Sequence, residues 1–177
     1  MNKALPYIII AFVIIVAGAW IFSRPDQQPP FTAGNSDSKF GSVPDFTFED
    51  YEGNSVSLTS FQGQPIIVNS WATWCPFCIN ELPDFVELQE ELGDQVTIIA
   101  VDRSESLSQA KQYTDDLQIT DDLVFVLDPS DSFYKSIGGF SMPETIFVDS
   151  DGTIQQHKRG FMRLDEMRSL TSSILNN

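Results

Sequence analysis

The amino-acid sequence predicts an α/β protein with a central mixed β-sheet, helices on both faces of that sheet and an extra N-terminal β-hairpin. Through the middle of the chain, short apolar runs that are typical of buried strands alternate with segments of helical periodicity. Turn signals containing glycine mark one hairpin near the start of this region and another near its end. An uncharged apolar segment before it predicts a single N-terminal transmembrane helix. The length of 177 residues suits one main domain with a short appendage.

The N-terminal segment over residues 5–22 is apolar and carries no charge. As a helix it would span roughly 27 Å, close to the thickness of the hydrocarbon core of a bilayer. Tyr7 and Trp20 near its ends suit the headgroup region, and the basic side chain before it favours an N-terminus inside. We therefore expect residues 1–23 to be a single-pass signal-anchor in the cell membrane, with the rest of the chain on the extracytoplasmic side. The alternative, a signal peptide cleaved at residues 17–19, is disfavoured because the apolar run continues beyond these small residues.

Composition separates a linker from a folded domain. Residues 24–42 are rich in proline, glycine, serine and asparagine, which predicts a flexible linker, and residues 43–177 are expected to form the domain. A hydrophobic content of 42% is enough for a packed core. The chain carries 25 acidic and 10 basic side chains, a net charge of −15, and this repulsive field excludes nucleic acid as a partner.

Each element of the domain follows from a local pattern. Period-two alternation predicts half-buried strands, continuous apolar runs predict buried strands, and helical periodicity with capping residues predicts helices. The predicted elements are, in order, a hairpin over residues 45–58 with its turn at Gly53 and Asn54, a strand over 66–68, a helix over 76–92 that ends at Gly93, a strand over 96–101, a helix capped by Ser104 or Ser106 and ending at Leu117, a strand over 123–127, a short helix over 131–137, a hairpin over 145–156 and a last helix over 164–175.

The two cysteines, Cys75 and Cys78, are the clearest chemical feature of the sequence. They lie where a predicted buried strand gives way to a predicted helix. A thiolate at a helix N-terminus is stabilised by the helix dipole and by unpaired N–H groups, which lowers the pKa of the thiol and makes Cys75 a nucleophile. Cys78 lies three residues later on the same helix face, so it can resolve a mixed disulfide formed at Cys75. The pattern predicts a redox dithiol.

The segment over residues 68–78, which reads VNSWATWCPFC, resembles the active-site strand and turn of thioredoxin-fold proteins. Within the thioredoxin-like superfamily it is most similar to the membrane-anchored TlpA, ResA and CcmG (DsbE) group, and the likeness extends from about Val43 to the C-terminus. The resemblance implies a thioredoxin fold and a tethered thiol-disulfide oxidoreductase, a protein-disulfide reductase with no cofactor beyond a redox-active disulfide. It also implies partners: exported disulfide-containing proteins, among them apocytochrome c through its haem-binding cysteines, and a membrane electron donor of DsbD or CcdA type.

The resemblance also assigns roles to individual residues. Cys75 corresponds to the attacking cysteine, Cys78 to the resolving cysteine and Pro83 to the proline that kinks the active-site helix. Met142 and Pro143 correspond to the cis-proline loop, which in the family faces the dithiol and binds extended substrate backbone. The residues expected to contact the substrate are Trp74, Pro76, Phe77, Met142 and Pro143.

Glu81 is the third predicted catalytic residue. Cytosolic thioredoxins carry a buried aspartate six residues before the first cysteine, and this chain has Asn69 there. The TlpA and ResA group often has a glutamate three residues after the second cysteine, which is the position of Glu81. Because Cys78 and Glu81 are i and i+3 on one helix face, a partly buried carboxylate could hold or relay the proton of Cys78. The alternative is a solvated glutamate on an acidic helix.

The sequence leaves three alternatives to a redox catalyst. A zinc site needs two further ligands, and His157 is the only histidine, so no metal is expected. A non-catalytic interaction module with a structural disulfide is a second possibility, although so short a loop restricts the unfolded chain little. A peroxidase on a related fold would use threonine or serine three residues before the first cysteine, where this chain has Ala72. We expect His157 to be a surface residue. Phe140, Phe161 and Met162 are expected to pack in the core, with loop residues that contact a partner as the alternative for these three.

Overall fold

The computed structural model describes residues 40–175, so the predicted anchor over residues 1–23 and nearly all of the predicted linker lie outside the described residues. The strands are β1 Thr47–Asp50, β2 Ser55–Ser57, β3 Ile66–Trp71, β4 Thr97–Arg103, β5 Val124–Asp128, β6 Glu144–Val148 and β7 Ile154–Arg159. The helices are α1 Cys78–Leu92, α2 Leu107–Asp116, α3 Ser132–Ser136 and α4 Leu164–Leu175, with short 3-10 turns at Leu58–Phe61 and Gly93–Gln95. Within the described part, no helix has both the length and the apolar character needed to cross a bilayer.

A single mixed sheet organises the described chain. Its strand order is β2-β1-β5-β4-β3-β6-β7. The three central strands β5, β4 and β3 are parallel, while β6 and β7 on one side and β1 and β2 on the other run antiparallel to their neighbours. The predicted mixed sheet and N-terminal hairpin are therefore confirmed. The hairpin turns at Gly53, whose φ of 82° lies in the left-handed region that favours glycine.

Alternation along the central strands divides the apolar side chains between two cores. In β3, Ile67 and Trp71 face one core, which also holds side chains of α1, α2 and α4. Ile66 and Val68 face the second core, which holds Phe133 of α3. Helices thus cover both faces of the sheet, as predicted, and β3 is buried throughout because it lies between β4 and β6.

The predicted boundaries differ from the observed ones by a few residues. The predicted strand over residues 66–68 continues to Trp71, which brings the end of β3 to within four residues of Cys75. The helix expected from residue 76 begins instead at Cys78. Helix α2 is capped by Ser106, whose Oγ accepts a hydrogen bond from the Gln109 N–H at 3.3 Å, so of the two predicted caps this one is used.

Candidate active site: a disulfide between a strand and a helix

Cys75 and Cys78 form a disulfide in the turn between β3 and α1, with their Cα atoms 5.5 Å apart. Both residues are buried, at 1% and 0% exposure. The side chains next to them are not: Trp74 is 60% exposed and Phe77 53% exposed. Two apolar rings next to the buried cysteines are therefore open to solvent. Pro76, between the cysteines, is also exposed.

The position of Cys75 corrects the sequence prediction. Cys75 does not begin the helix: it lies three residues before Cys78, the first helical residue, in a turn closed by a Cys78 N–H to Cys75 C=O hydrogen bond of 3.2 Å. Pro76 suits the first turn of a helix and equally suits a tight turn, so the sequence pattern did not separate the two. The first residue of α1 is Cys78, and Cys75 precedes it in the turn.

The loop before β6 lies next to this turn. Its Met142–Pro143 peptide bond is cis, as the resemblance implies. Strand β6 pairs with β3 so that Glu144 lies opposite Ser70, which brings Pro143 beside the end of β3. Within the loop, Phe140 is 84% exposed, so the expectation that it packs in the core is wrong. The ring of Phe140 faces solvent, while its backbone N–H is bound by a buried carboxylate.

The carboxylate that binds this N–H belongs to Glu144, a residue that no sequence pattern singles out. The carboxylate is fully buried, and its Oε1 accepts hydrogen bonds from the N–H groups of Phe140 at 2.8 Å and Ser141 at 3.1 Å. Arg159 Nε lies 3.3 Å from the same oxygen, and His157 Nε2 lies 3.4 Å from Oε2. His157 is therefore not a surface residue as predicted: its side chain is 8% exposed and packs beside Glu144.

Glu81 is buried, which overturns the alternative of a solvated helix glutamate. Its Oε1 accepts a hydrogen bond from the Met162 N–H at 2.9 Å, and its Oε2 accepts one from Asn69 Nδ2 at 3.1 Å. Asn69 Nδ2 also donates to Thr145 Oγ1 at 2.9 Å. Burial dominates over these hydrogen bonds and raises the pKa of Glu81 to about 8.

This arrangement explains why an asparagine stands at position 69. An aspartate there would place a second carboxylate against Glu81, whereas the amide supplies a donor to it. Met162 is buried, as expected, and its N–H completes the site by holding the other oxygen of Glu81. Phe161 beside it is only half-buried, with its ring centroid 6.2 Å from that of Phe77.

Asp102 is another buried carboxyl that no sequence pattern singles out. It lies at the end of β4, paired in register with Trp71 of β3, and burial together with the neighbouring Glu105 raises its pKa to about 8. Glu105 in turn holds the active-site turn: its carboxylate accepts hydrogen bonds from Thr73 N–H at 2.7 Å and Thr73 Oγ1 at 2.6 Å. Strand topology is the feature that could have indicated these two residues. Strand β4 is the parallel neighbour of β3, so the carboxyl ends of both strands lie at the same edge of the sheet.

Fold and site together define the class of this protein. It has the thioredoxin-like fold, with a Cys-x-x-Cys disulfide where a central strand meets a helix and a cis-proline loop alongside. The Redoxin family model matches residues 39–174, and the chain belongs to this family.

Two relatives cover most of the chain. The thiol-disulfide oxidoreductase ResA of Bacillus thuringiensis subsp. konkukian is 28% identical over 176 residues, which are 98% of this chain and 97% of that protein. The thiol:disulfide interchange protein DsbE of Vibrio cholerae is 29% identical over 168 residues, 90% of this chain and 87% of that protein. These relatives confirm the resemblance to the ResA and DsbE group.

A solved structure gives the same fold independently. The thiol:disulfide interchange protein of the thioredoxin family from Chlorobium tepidum superposes with a TM-score of 0.69 at 23% identity, covering 80% of this chain and 100% of that one. At 23% identity this structural similarity supports the fold and not a function. The predicted thioredoxin-like fold is confirmed.

Proposed function

We propose that this chain is a membrane-tethered, extracytoplasmic thiol-disulfide oxidoreductase that reduces disulfides in exported proteins. The observation that carries the proposal is the Cys75–Cys78 disulfide in the turn between β3 and α1, next to the cis bond before Pro143. The relatives that bear the names of thiol-disulfide enzymes support the enzyme class. The exposed Trp74 and Phe77, together with the Met142 loop, form the surface that meets the substrate.

The reaction passes two electrons and two protons to the substrate. In the reduced enzyme the Cys75 thiolate attacks one sulfur of the substrate disulfide, so that a Cys75–substrate S–S bond forms and the substrate S–S bond breaks. The displaced substrate sulfur leaves as a thiolate and takes up a proton from solvent, which replaces the one that Cys75 released when it ionised. Cys78 then loses its proton and attacks Cys75 Sγ, which breaks the mixed disulfide and leaves the enzyme disulfide observed here. The second substrate sulfur leaves as a thiolate and takes up the proton that Cys78 lost.

Glu81 is the group that accepts or returns the Cys78 proton in this scheme. It lies one helical turn from Cys78 on α1, and both side chains are buried in the same region. A carboxyl whose pKa is raised to about 8 is poised to exchange a proton near neutral pH, where an ordinary glutamate stays ionised. Hydrogen bonds from Met162 and Asn69 hold the carboxyl in a fixed orientation.

Location and partners complete the proposal. The apolar segment over residues 5–22 would anchor the chain, and a membrane dithiol donor of DsbD or CcdA type would return the enzyme to its reduced state. The haem-binding cysteine pair of apocytochrome c is our candidate substrate, on the strength of the resemblance to CcmG and ResA. Extraction of membranes at alkaline pH tests the anchor: the full-length chain is expected to stay with the lipid, and its release would contradict tethering.

Trapping a mixed disulfide tests the proposed chemistry. The full-length Cys78→Ser variant cannot resolve the intermediate, so we expect a covalent adduct at Cys75 with a peptide that carries a disulfide-bonded Cys-x-x-Cys-His segment. The Cys75→Ser variant is the matched control and is expected to give no adduct. A wild-type disulfide that resists thiol reductants, with no adduct in Cys78→Ser, would instead favour a non-catalytic module. Rapid consumption of hydrogen peroxide by the wild type would favour a peroxidase.

A further inference from the structure

Arg103 is a charged residue at the end of β4 that the proposed mechanism does not use. Its guanidinium carbon lies 3.3 Å from the ring centroid of Tyr134 and 5.9 Å from that of Trp74. These distances are in the range of attraction between a cation and an aromatic ring. Since its side chain is only 15% exposed, Arg103 forms an internal link between the active-site turn, which carries Trp74, and helix α3, which carries Tyr134.

A carboxylate fixes the orientation of this guanidinium. Arg103 Nε and Nη2 donate to the two oxygens of Asp131 at 2.7 and 2.8 Å, which is the two-point pairing that a planar guanidinium favours. Asp131 precedes α3 and has a φ of 57°, in the left-handed region. Because both oxygens are engaged, rotation of the guanidinium away from the two rings would break hydrogen bonds as well as stacking.

Tyr134 continues the link to the cis-proline loop. Its hydroxyl donates a hydrogen bond to the Ser141 C=O at 2.9 Å, one residue before Met142. The backbone of Gly139 rests directly on the ring: a Cβ added there would lie 2.4 Å from a ring atom. Trp74, Arg103 and Tyr134 therefore connect the two segments that we assign to the substrate-contact surface.

We propose that Arg103 is a positioning residue for protein substrates, one that couples the orientation of Trp74 to the position of the cis-proline loop. The inference rests on the proposed function. An extended polypeptide has to contact both segments at once, so holding them in one arrangement before binding lowers the cost of ordering them. A small disulfide touches only Cys75 and its immediate surroundings, so it should not depend on this link.

Comparing two substrates isolates this role. With the full-length chain, we expect Arg103→Met to raise the KM for a disulfide-bonded Cys-x-x-Cys-His peptide about tenfold with little change in kcat. The rate with hydroxyethyl disulfide should stay within about twofold. Arg168→Met is the matched control, because Arg168 forms ion pairs with Glu87 and Glu91 of α1 and is not connected to either loop. This control should leave both substrates unaffected.

A second variant covers the case in which Arg103→Met does not fold. Tyr134→Phe keeps the ring beneath the guanidinium and removes the hydroxyl, which reaches Ser141 and also interacts with Arg103. A rise in the peptide KM by a few fold is expected from it alone. An equal loss with both substrates, or no change with either, would overturn the coupling while leaving thiol-disulfide exchange intact. If the wild-type chain reduces neither substrate, the proposed function fails, and the inference falls with it.

A double-mutant cycle tests the coupling itself. The effects of Trp74→Ala and Tyr134→Leu on peptide kcat/KM should be non-additive by several fold when Arg103 is present. In the Arg103→Met background the same two substitutions should be additive. Additivity in both backgrounds would show that the two aromatic residues act independently and would contradict the role assigned to Arg103.

Discussion

At the scale of single residues, two carboxyl groups near the active-site turn, those of Glu81 and Asp102, are buried. Glu81 is held by one backbone N–H and one side-chain amide, and Asp102 by the Glu105 N–H at 3.1 Å, with its Oδ2 lacking a hydrogen-bond partner within the described residues. Burial raises the pKa of both groups to about 8. Both are therefore protonated in the folded state at a pH where the unfolded chain has already lost those protons.

This difference predicts how stability depends on pH. Between the ordinary pKa of 4.5 and the folded value of about 8, the folded state holds a proton on Glu81 that the unfolded state lacks, so stability is highest below this window and falls as pH rises through it. The slope for one such group is about 1.4 kcal/mol per pH unit. We expect Glu81→Gln to make the unfolding free energy fall less steeply with pH in this window, by about 1.4 kcal/mol per pH unit. The same variant should have a higher free energy of unfolding than the wild type at pH 8.

A flip of the Asn69 side-chain amide relieves the clash of donors in Glu81→Gln, because its oxygen then accepts from the new amide and from Thr145 Oγ1. The NH2 group moves to the buried position of the present Oδ1, which has no partner within the described residues. The cost of this change does not depend on pH, so the slope still reports the Glu81 carboxyl. Denaturant unfolding at several pH values gives the measurement, and Glu90→Gln on the exposed side of the same helix is the control. Equal slopes for wild type and Glu81→Gln would show that the carboxyl titrates normally.

At the scale of elements, the loop that leads to Pro143 is held from both sides. Glu144 binds two of its N–H groups, and the ring of Tyr134 supports it at Gly139. We predict that Gly139→Ala destabilises the protein by about 1–3 kcal/mol, because the added methyl group collides with the ring and forces the loop or α3 to shift. Thermal unfolding measures this effect.

Gly138→Ala is a useful comparison, since a Cβ there meets nothing within 4 Å although the φ of 66° is strained for alanine. Both variants should lower the stability of the folded protein. Only Gly139→Ala should also raise the KM for a peptide disulfide, because only this substitution displaces Tyr134. If the two variants behaved alike with the peptide, the contact between the loop and Tyr134 would have no role in substrate binding.

How far the sequence predicts these elements depends on whether the signal is local. Hairpin turns, apolar strand runs and the stop at Gly93 are local, and the structure confirms each of them. The start of α1 is ambiguous because Pro76 fits either a turn or a first helical turn. The burial of Asp102 and Glu144 arises from strand pairing between distant segments, which no local pattern encodes.

Within the site, the sequence predicts residue types better than environments. The cysteine spacing identifies the dithiol, and the resemblance adds the cis bond before Pro143 and the position of Glu81. It does not reveal that Phe140 is exposed or that Arg103 lies against the ring of Tyr134 and near that of Trp74, since both depend on how α3 and its following loop pack beside the active-site turn. The substrate-contact roles of Trp74 and its neighbours stay predictions.

At the scale of the whole molecule, the net charge of −15 bears on which partners approach the site. A strongly acidic protein attracts cationic chains over a distance set by ionic strength, about 10 Å at 0.1 M salt. Such a field acts on the rate of encounter far more than on the chemical step. The protein should therefore discriminate between substrates with the same disulfide and different flanking charge.

Two peptides test this directly, each with the same disulfide-bonded Cys-x-x-Cys-His segment, one flanked by lysines and the other by glutamates. At low salt we expect kcat/KM for the lysine peptide to exceed that for the glutamate peptide by about tenfold or more, because attraction raises the association rate of the one and repulsion lowers that of the other. The ratio should shrink toward unity as salt is raised, since screening shortens the range of the field. The rate with uncharged hydroxyethyl disulfide should show no such salt dependence. Equal kcat/KM values for the two peptides at low salt would contradict the prediction, because they would show that the field of the acidic side chains does not affect association at the active-site turn.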